Sequence, residues 1–274
     1  MLMREAELFA RLHKTGDPLL LPNAWDAASA VAIEAAGAKA IATTSAGVAW
    51  SLGVPDAADL GAERAAGVIA RIVAAVSVPV SADIEAGYGE SPEAVAATVT
   101  AVVQAGAVGV NLEDRRDAGS LFDPAAQADR IAAARGAAGE VPVWINARTD
   151  VFLSGLHPSV PEGVAVALER AAVYKAAGAD SLFAPGLLDA AAIAELADGP
   201  LPIAVMAVPG APSVAELAAA GAVRISLGSA IAQAAYGLAT RAAAEMLDSG
   251  TYDTSAGGCD YAAMNDSLRG GRAT

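Results

Sequence analysis

At 274 residues with a formal net charge of −14, the chain has room for one large domain and a surface that repels nucleic acid and anionic membranes. Apolar residues make up 55% and aromatic residues only 4%, so a sizeable core must be built from Val, Leu, Ile and Ala. The single cysteine, Cys259, rules out an internal disulfide and fits a reducing cytoplasm; in its polar surroundings it reads as a spare thiol near the tail.

In chain order, Met1 to Lys14 mixes charged and apolar residues and predicts a short amphipathic helix within an N-terminal segment 1–17, not a signal peptide. A first strand is expected near 19–22. It runs into Pro22-Asn23-Ala24-Trp25-Asp26, without the glycine-rich phosphate loop that usually opens a doubly wound sheet. The second strand, near 39–44, follows Ala36-Gly37-Ala38, and the same Ala-Gly-Ala phrase recurs at 105–107, 177–179 and 220–222 ahead of further apolar strands. A glycine there lets a helix end in the left-handed conformation. These phrases, and proline-flanked entries such as Val78-Pro79-Val80, place strands near 78–83, 108–113, 142–148, 180–184, 202–207 and 223–227. The uncharged run Ala94 to Leu112 predicts helix, turn and strand, because Thr98, Thr100, Gln104 and a glycine break at 106–109 interrupt it as a membrane span. Helical spacing marks Pro161–Ala177 and Ser213–Ala220. Eight alternating units imply an α/β fold, a (β/α)8 TIM-type barrel forming a single domain over 1–274, with its active site at the C-terminal strand ends. Residues 231–274 form a C-terminal helical extension, helical to about Leu247, which exceeds one barrel helix and is expected to pack on, or exchange with, a neighbouring subunit.

Four stretches are expected to end strands with an acid or an arginine: Gly53–Asp56, Ser81–Glu85, Asn111–Glu113 and Asn146–Arg148. Strand side chains alternate faces, so Ser81, Asp83 and Glu85 share one face, as do Asn111 with Glu113 and Asn146 with Arg148. Acids converging at buried strand ends are costly unless they serve a metal or a substrate. Asp83, Glu85 and Glu113 offer an oxygen-only donor set suited to Mg²⁺ or Mn²⁺, the competing reading being a salt-bridge network across the barrel top. Arg148 would hold a substrate carboxylate, or else serve as counter-ion to Glu113 or Asp83. Thr43-Thr44-Ser45-Ala46-Gly47 offers hydroxyls and backbone N–H groups for an anion, with Thr44, Ser45 and Ala46 as substrate-binding candidates. His13 and His157 stand apart from the acids, which disfavours zinc and reads them as solvated or core residues. Neither Lys39 nor Lys175 reaches the catalytic face, which removes Schiff-base chemistry.

Taken together, Pro22–Ala27, Thr44–Ala49, Leu52–Asp56, Asp83-Ile84-Glu85-Ala86-Gly87-Tyr88-Gly89, Leu112-Glu113-Asp114 and Ala147-Arg148-Thr149-Asp150 resemble the isocitrate lyase and phosphoenolpyruvate mutase superfamily over nearly the whole chain. The resemblance implies cleavage or rearrangement of C–C or P–C bonds in small 2-oxo or 2-hydroxy acids through an enolate-like species stabilised by Mg²⁺. It implies that Asp83 binds the metal directly, that Glu85 and Glu113 act mostly through its waters, and that Asp56 sits over the substrate. Ser45 and Ala46 backbone, with Arg148, would hold the 2-oxo acid. It also implies a homo-oligomer, dimer or tetramer. The Lys-x-Cys-Gly-His loop of the isocitrate-cutting lyases is absent; here 115–124 reads Arg-Arg-Asp-Ala-Gly-Ser-Leu-Phe-Asp-Pro, a lid that sets specificity. The expected activity is a Mg²⁺-dependent C–C lyase other than isocitrate lyase, catalysed by Asp56, Glu113 and Arg148. Phosphonopyruvate-type P–C chemistry and a non-catalytic oxo-acid binder are the alternatives.

Overall fold

Pro22 breaks the first barrel strand in two, and the two halves close the sheet. The computed structural model describes residues 1–270 apart from 59, 118, 154, 156 and 158. Helix α1 (Leu2–Leu12) leads to β1 (Leu19–Leu21) and β2 (Asn23–Ala24), then α2 (Ala27–Ala35), β3 (Ile41–Thr43), α3 (Ser45–Ser51), α4 (Ala62–Ala75) and β4 (Val80–Asp83). There follow α5 (Pro92–Gln104), β5 (Gly109–Glu113), a hairpin of β6 (Arg115–Asp117) and β7 (Ser120–Leu121), α6 (Pro124–Ala137) and β8 (Trp144–Arg148). The chain ends with α7 (Val160–Ala176), β9 (Ser181–Phe183), α8 (Ala190–Ala197), β10 (Ile203–Met206), α9 (Val214–Ala219), β11 (Ala222–Ser226), α10 (Ala230–Ser249) and α11 (Tyr261–Arg269). The main sheet is parallel, in the order β1-β11-β10-β9-β8-β5-β4-β3-β2. Leu19 registers with Arg224 on one side of the break and Asn23 with Ala42 on the other, so the nine strands occupy eight barrel positions.

Each predicted strand is present with ends within two residues of those expected, the first being split at Pro22 and the last beginning one residue early at Ala222. Gly37, Gly106, Gly178 and Gly221 all have φ between +91° and +103°, as the left-handed helix ends require. At Gly106 a Cβ would also meet Val73 Cγ1 at 2.7 Å, so the turn leaves no room for a side chain. Helix starts are fixed by side-chain caps from Asp26, Ser91, Asp123, Ser159, Asp189 and Ser213. Among the described residues no helix is long and apolar enough to cross a membrane.

Three expectations need correction. Gly53–Asp56 does not end a strand. It follows α3, where the N–H groups of Gly53 and Val54 donate to the carbonyls of Trp50 and Ala49 and close the helix. Thr44–Gly47 is not an open loop but the cap and first turn of that helix. Glu85 does not continue the alternation of Ser81 and Asp83: β4 stops at Asp83, and Glu85 takes a left-handed φ of +50°. Beyond Leu247, the polar tail forms a further helix, α11, which returns to pack against α2.

The barrel floor is closed by α1, whose Ala6 and Phe9 pack with Leu19, Leu21, Ala40, Ala42 and Val108. His13 belongs to this floor. Its ring stacks on Trp144 at 4.0 Å, its Nδ1 lies 2.9 Å from the Phe9 carbonyl, and burial beside Arg224 lowers its pKa to about 3. Above the floor the interior is polar. Trp144 Nε1 donates to Ser181 Oγ (2.8 Å), Ser181 Oγ to Asn146 Oδ1 (2.5 Å), Asn146 Nδ2 to Asn111 Oδ1 (2.8 Å), and the fully buried Arg224 donates to that same Asn111 oxygen (2.9 Å).

The helical layer is open over β1. Leu20 points outward and is 50% exposed, and a cavity of about 800 Å³ lies beside it, lined by Ile33, Val214, Ala218 and Ile231. The long helix α10 does not fill this gap: of its described side chains only Ala232 is buried, while Tyr236, Leu238, Met246 and Leu247 are exposed.

A second buried network ties strand ends together. Asp114, just past β5, accepts from the Asp150 N–H (3.0 Å), the Tyr174 hydroxyl (2.8 Å) and Arg170 Nη1 (3.1 Å). Removing that carboxylate strands the buried Arg170 cation and its tyrosine partner. Asp114→Ala is therefore expected to cost about 3–5 kcal/mol in denaturant unfolding, whereas Asp114→Asn, which keeps acceptor capacity, costs less.

Candidate active site

The site is built at the C-terminal ends of β3, β4, β5 and β8. Asp83 ends β4, its N–H donating to Thr43 Oγ1 (2.8 Å) and its Oδ2 accepting from the Ser45 N–H at the start of α3 (3.3 Å). Its Oδ1 is buried with no hydrogen-bond partner, and so is Glu85 Oε1. Glu85 and Tyr88 both have φ of +50°, a conformation that non-glycine residues occupy at a cost and that clusters at functional sites. Arg130, buried on α6, holds this turn from behind: Nη2 donates to the Ala86 carbonyl and Nη1 to those of Gly89 and Glu90. Gln127 completes the support, accepting from Arg130 Nε (2.9 Å) and donating to the Glu113 carbonyl (3.2 Å).

Glu113 and Arg148 face each other across the β5–β8 register, with Arg148 Nη1 2.8 Å from Glu113 Oε2. The same guanidinium grips Asp150, Nε to Oδ1 at 2.6 Å and Nη2 to Oδ2 at 2.9 Å. Asp150 is in turn held by its own N–H on Asp114, so the Asp114 network positions the arginine indirectly. Arg115, first on the hairpin, brings a second guanidinium, its Nε 3.0 Å from Asp150 Oδ2.

The charges thus divide into two groups. Glu113 and Asp150 have arginine partners. Among the described residues Asp83 and Glu85 have none. Burial, reinforced by the charges of Asp83 and Asp56, raises the pKa of Glu85 to about 7, against weaker opposition from the Tyr88 hydroxyl and Arg148. Burial also holds the Glu113 carboxyl above the usual carboxylate range, although Arg148 opposes it. For Arg148 burial disfavours the charge, but Glu113 and Asp150 outweigh it and keep the guanidinium protonated.

Of the predicted site residues, Asp83, Glu85, Glu113 and Arg148 share the barrel mouth. Ser45 reaches it through its N–H, with the buried Ala46 and Thr44 forming the wall behind. Asp56 lies exposed on the loop after α3, near enough for its charge to act on Glu85. The residues given no role from sequence are Asp114, Asp150, Arg130 and Arg170; Arg115 opens the 115–124 lid expected to set specificity. Asp114 and Asp150 stood inside the quoted motifs, whereas Arg130, one of two arginines on an alanine-rich helix, carried no such signal.

The donor set fits a hard divalent cation. Asp83 Oδ1 and Glu85 Oε1 are orphaned carboxylate oxygens, and no nitrogen or sulfur ligand stands with them. Among the described residues no three acids are gathered as a direct ligand cage, so an ion here would complete its shell with water. An ion held there would make the acidic side electron-withdrawing, while the arginine side pairs with the carboxylates of Glu113 and Asp150.

The phosphoenolpyruvate phosphomutase family model matches residues 9–247. An uncharacterised protein of Mycobacterium tuberculosis (strain ATCC 25618 / H37Rv) is 39% identical over 243 residues, covering 88% of this chain and 89% of its own. The 2-methylisocitrate lyase of Escherichia coli (strain K12) is 32% identical over 191 residues, 66% of this chain and 62% of that one. Among solved structures, a putative phosphonomutase from Burkholderia cenocepacia J2315 superposes with a TM-score of 0.83 at 42% identity, covering 92% of this chain and 100% of that one. With the motifs, the barrel and the match in agreement, the chain belongs to the phosphoenolpyruvate phosphomutase family, within the isocitrate lyase/PEP mutase superfamily of lyases and mutases.

Proposed function

We propose that the protein is a Mg²⁺-dependent lyase, able to use Mn²⁺, that cleaves a C–C bond in a small 2-oxo or 2-hydroxy carboxylic acid other than isocitrate. The observation that carries this is the pair of orphaned oxygens, Asp83 Oδ1 and Glu85 Oε1, set beside a carboxylate-binding arginine. Asp83 would hold the ion directly, with Glu85 and Glu113 reaching it through water. The bound ion would act as a Lewis acid on the substrate's 2-oxo or 2-hydroxy oxygen.

The chain's own residues do the rest. Arg148, locked by Glu113 and Asp150, presents a fixed cation where negative charge develops as the bond breaks, so no reorganisation is needed at that moment. The Ser45 and Ala46 backbone holds the reacting carboxylate against the strand ends. Asp56, on its exposed loop, covers the substrate and takes or gives the proton. The likeness to 2-methylisocitrate lyase of Escherichia coli favours C–C chemistry. The likeness to a putative phosphonomutase keeps P–C cleavage as the second reading.

The chain in this reading works in the cytoplasm as a homo-oligomer, dimer or tetramer. The uncovered Leu20, the apolar gap beside it and the unburied α10 fit an exchange in which one copy's C-terminal helices cover its neighbour's barrel. Light scattering should give a dimer or tetramer for the wild type, with Leu20→Asp shifting it toward monomer; a monomeric wild type removes this part of the proposal.

Two further outcomes are expected. Pyruvate or glyoxylate should be released from 2-oxo and 2-hydroxy diacids only when Mg²⁺ or Mn²⁺ is supplied. Arg148→Met should lower kcat by about 10²–10³, and Asp83→Ala should abolish Mg²⁺ binding by calorimetry; phosphate release from phosphonopyruvate alone would transfer the assignment to P–C chemistry. The second outcome concerns pH without metal. Because folding raises the Glu85 pKa from 4.5 to about 7, its favourable contribution is full below pH 4.5 and is lost as pH rises through 7. Thermal stability of the metal-free protein should therefore decline across that window. Glu85→Gln should flatten the decline, and added Mg²⁺ should restore the wild type.

A further inference from the structure

Arg115 and Arg116 are adjacent in sequence, yet the hairpin sends them to opposite sides. Arg116 turns outward, 55% exposed, toward the surface Glu90 at 3.5 Å. Arg115 turns inward, its side chain 33% exposed, with Nε 3.0 Å from the fully buried carboxylate of Asp150. That pairing is incomplete. Asp150 already receives two well-formed hydrogen bonds from Arg148, and the Arg115 Nε–H, though close, is not aimed to make a third. The terminal nitrogens of Arg115 donate to no described residue. A guanidinium that is held near its place by charge, but whose N–H groups are unspent, is prepared for another anion.

The hairpin also fixes where that anion would lie. The N–H of Phe122 donates to the Asp114 carbonyl (2.8 Å), pinning the two ends of the hairpin together, and the Asp114 N–H donates to the Arg148 carbonyl (3.0 Å). Phe122 is itself buried under the Arg130 guanidinium, 4.1 Å from its ring centre. Arg115 therefore stands directly after a clamped residue, beyond the C-terminal end of β5, and shares Asp150 with Arg148. A substrate whose reacting carboxylate lies by Arg148 would direct the rest of its carbon chain past Arg115.

We propose that Arg115 is a specificity-determining residue that binds the second, distal carboxylate of a diacid substrate. This inference rests on the proposed function, since it assumes that the reacting end of a hydroxy or oxo acid sits between the Asp83–Glu85 pair and Arg148. Arg116 plays no part in recognition.

The test uses two unreactive probes, malate and lactate, which share a 2-hydroxy acid end and differ in the distal carboxylate. Oxalate serves as a probe of the reacting end alone. Binding is measured by calorimetry on the full chain with Mg²⁺ present. Wild type should bind malate more tightly than lactate, by about tenfold or more for one charge-assisted contact. Arg115→Gln should bring malate down to the lactate level while leaving oxalate and lactate unchanged. Arg115→Lys should recover part of the difference, and Arg116→Gln should leave every value where it was. A malate-to-lactate ratio unaltered in Arg115→Gln, or one lost equally in Arg116→Gln, overturns the proposal while oxalate binding leaves the proposed function standing. If wild type with Mg²⁺ takes up none of the three acids, the proposed function fails and carries this inference down with it.

Discussion

Uncompensated negative charge at the barrel mouth is the constraint around which the rest of the site is arranged. Four carboxylates gather there, and two arginines are present to meet them. Both arginines go to the same side: Arg148 spans Glu113 and Asp150, and Arg115 adds itself to Asp150. Asp83 and Glu85 are left with neutral donors only, the Ser45 N–H and the Tyr88 hydroxyl. Burying like charges without a cation is expensive, as the raised pKa of Glu85 records. Arg148 directs all three of its nitrogens to Glu113 and Asp150, so its ion pairs lie on the side away from Asp83. A salt-bridge network closing the barrel top would have spread the cations evenly. This distribution instead leaves a local deficit of positive charge, which a divalent ion would correct.

Maintaining such an arrangement needs rigid support, and that support comes from buried groups outside the cleft. Arg130 uses its guanidinium on three backbone carbonyls, so the turn carrying Glu85 cannot relax away from Asp83. Asp114 does the same for Asp150 and hence for Arg148, with Arg170 and Tyr174 locking it from α7. In both cases a polar group is satisfied almost wholly by protein, which makes it costly to disturb and holds the charged ends still. The positive φ of Glu85 is retained for the same reason: its surroundings over-determine it.

Much of this was legible in the sequence. The repeated Ala-Gly-Ala phrase located helix ends and the strands after them, because few side chains other than glycine tolerate the left-handed turn that each carries. Alternation along β4, β5 and β8 placed Asp83, Glu113 and Arg148 on the inner face. What was hidden depended on backbone geometry or on distant partners. Alternation cannot foresee that β4 ends at Asp83, two residues before Glu85. Nor does Thr44–Gly47 announce a helix, since its hydroxyls and glycine suit a loop equally well; the cap at Thr44 is decided by where β3 ends. The alternatives for Arg148 included Glu113, 35 positions away, and strand register selects it; the second partner, Asp150, lies only two residues on but is brought round by the turn after β8, which alternation does not encode. Arg130 was the hardest to read, because a buried arginine serving carbonyls looks, in sequence, like a solvated one.

Charge at a larger scale bears on how such a site meets its ligand. A chain carrying −14 repels small anions at long range, so steering cannot bring a carboxylate substrate in. At physiological ionic strength that repulsion is screened beyond about 8 Å, and inside that distance the local arrangement takes over. There the positive groups lie close together: Arg148 and Arg115 at the rim, and the buried Arg224, near enough to feel the charge of Asp83 but paired with no carboxylate among the described residues. The interior polar chain through Asn111, Asn146 and Ser181 lets Arg224 remain charged in the barrel without a direct counter-ion. A divalent ion at Asp83 would turn the acidic half of the mouth positive as well. Anion recognition in this acidic protein would then be a short-range property that depends on the ion, and a site without its metal would bind carboxylates weakly on every side except that of the two arginines.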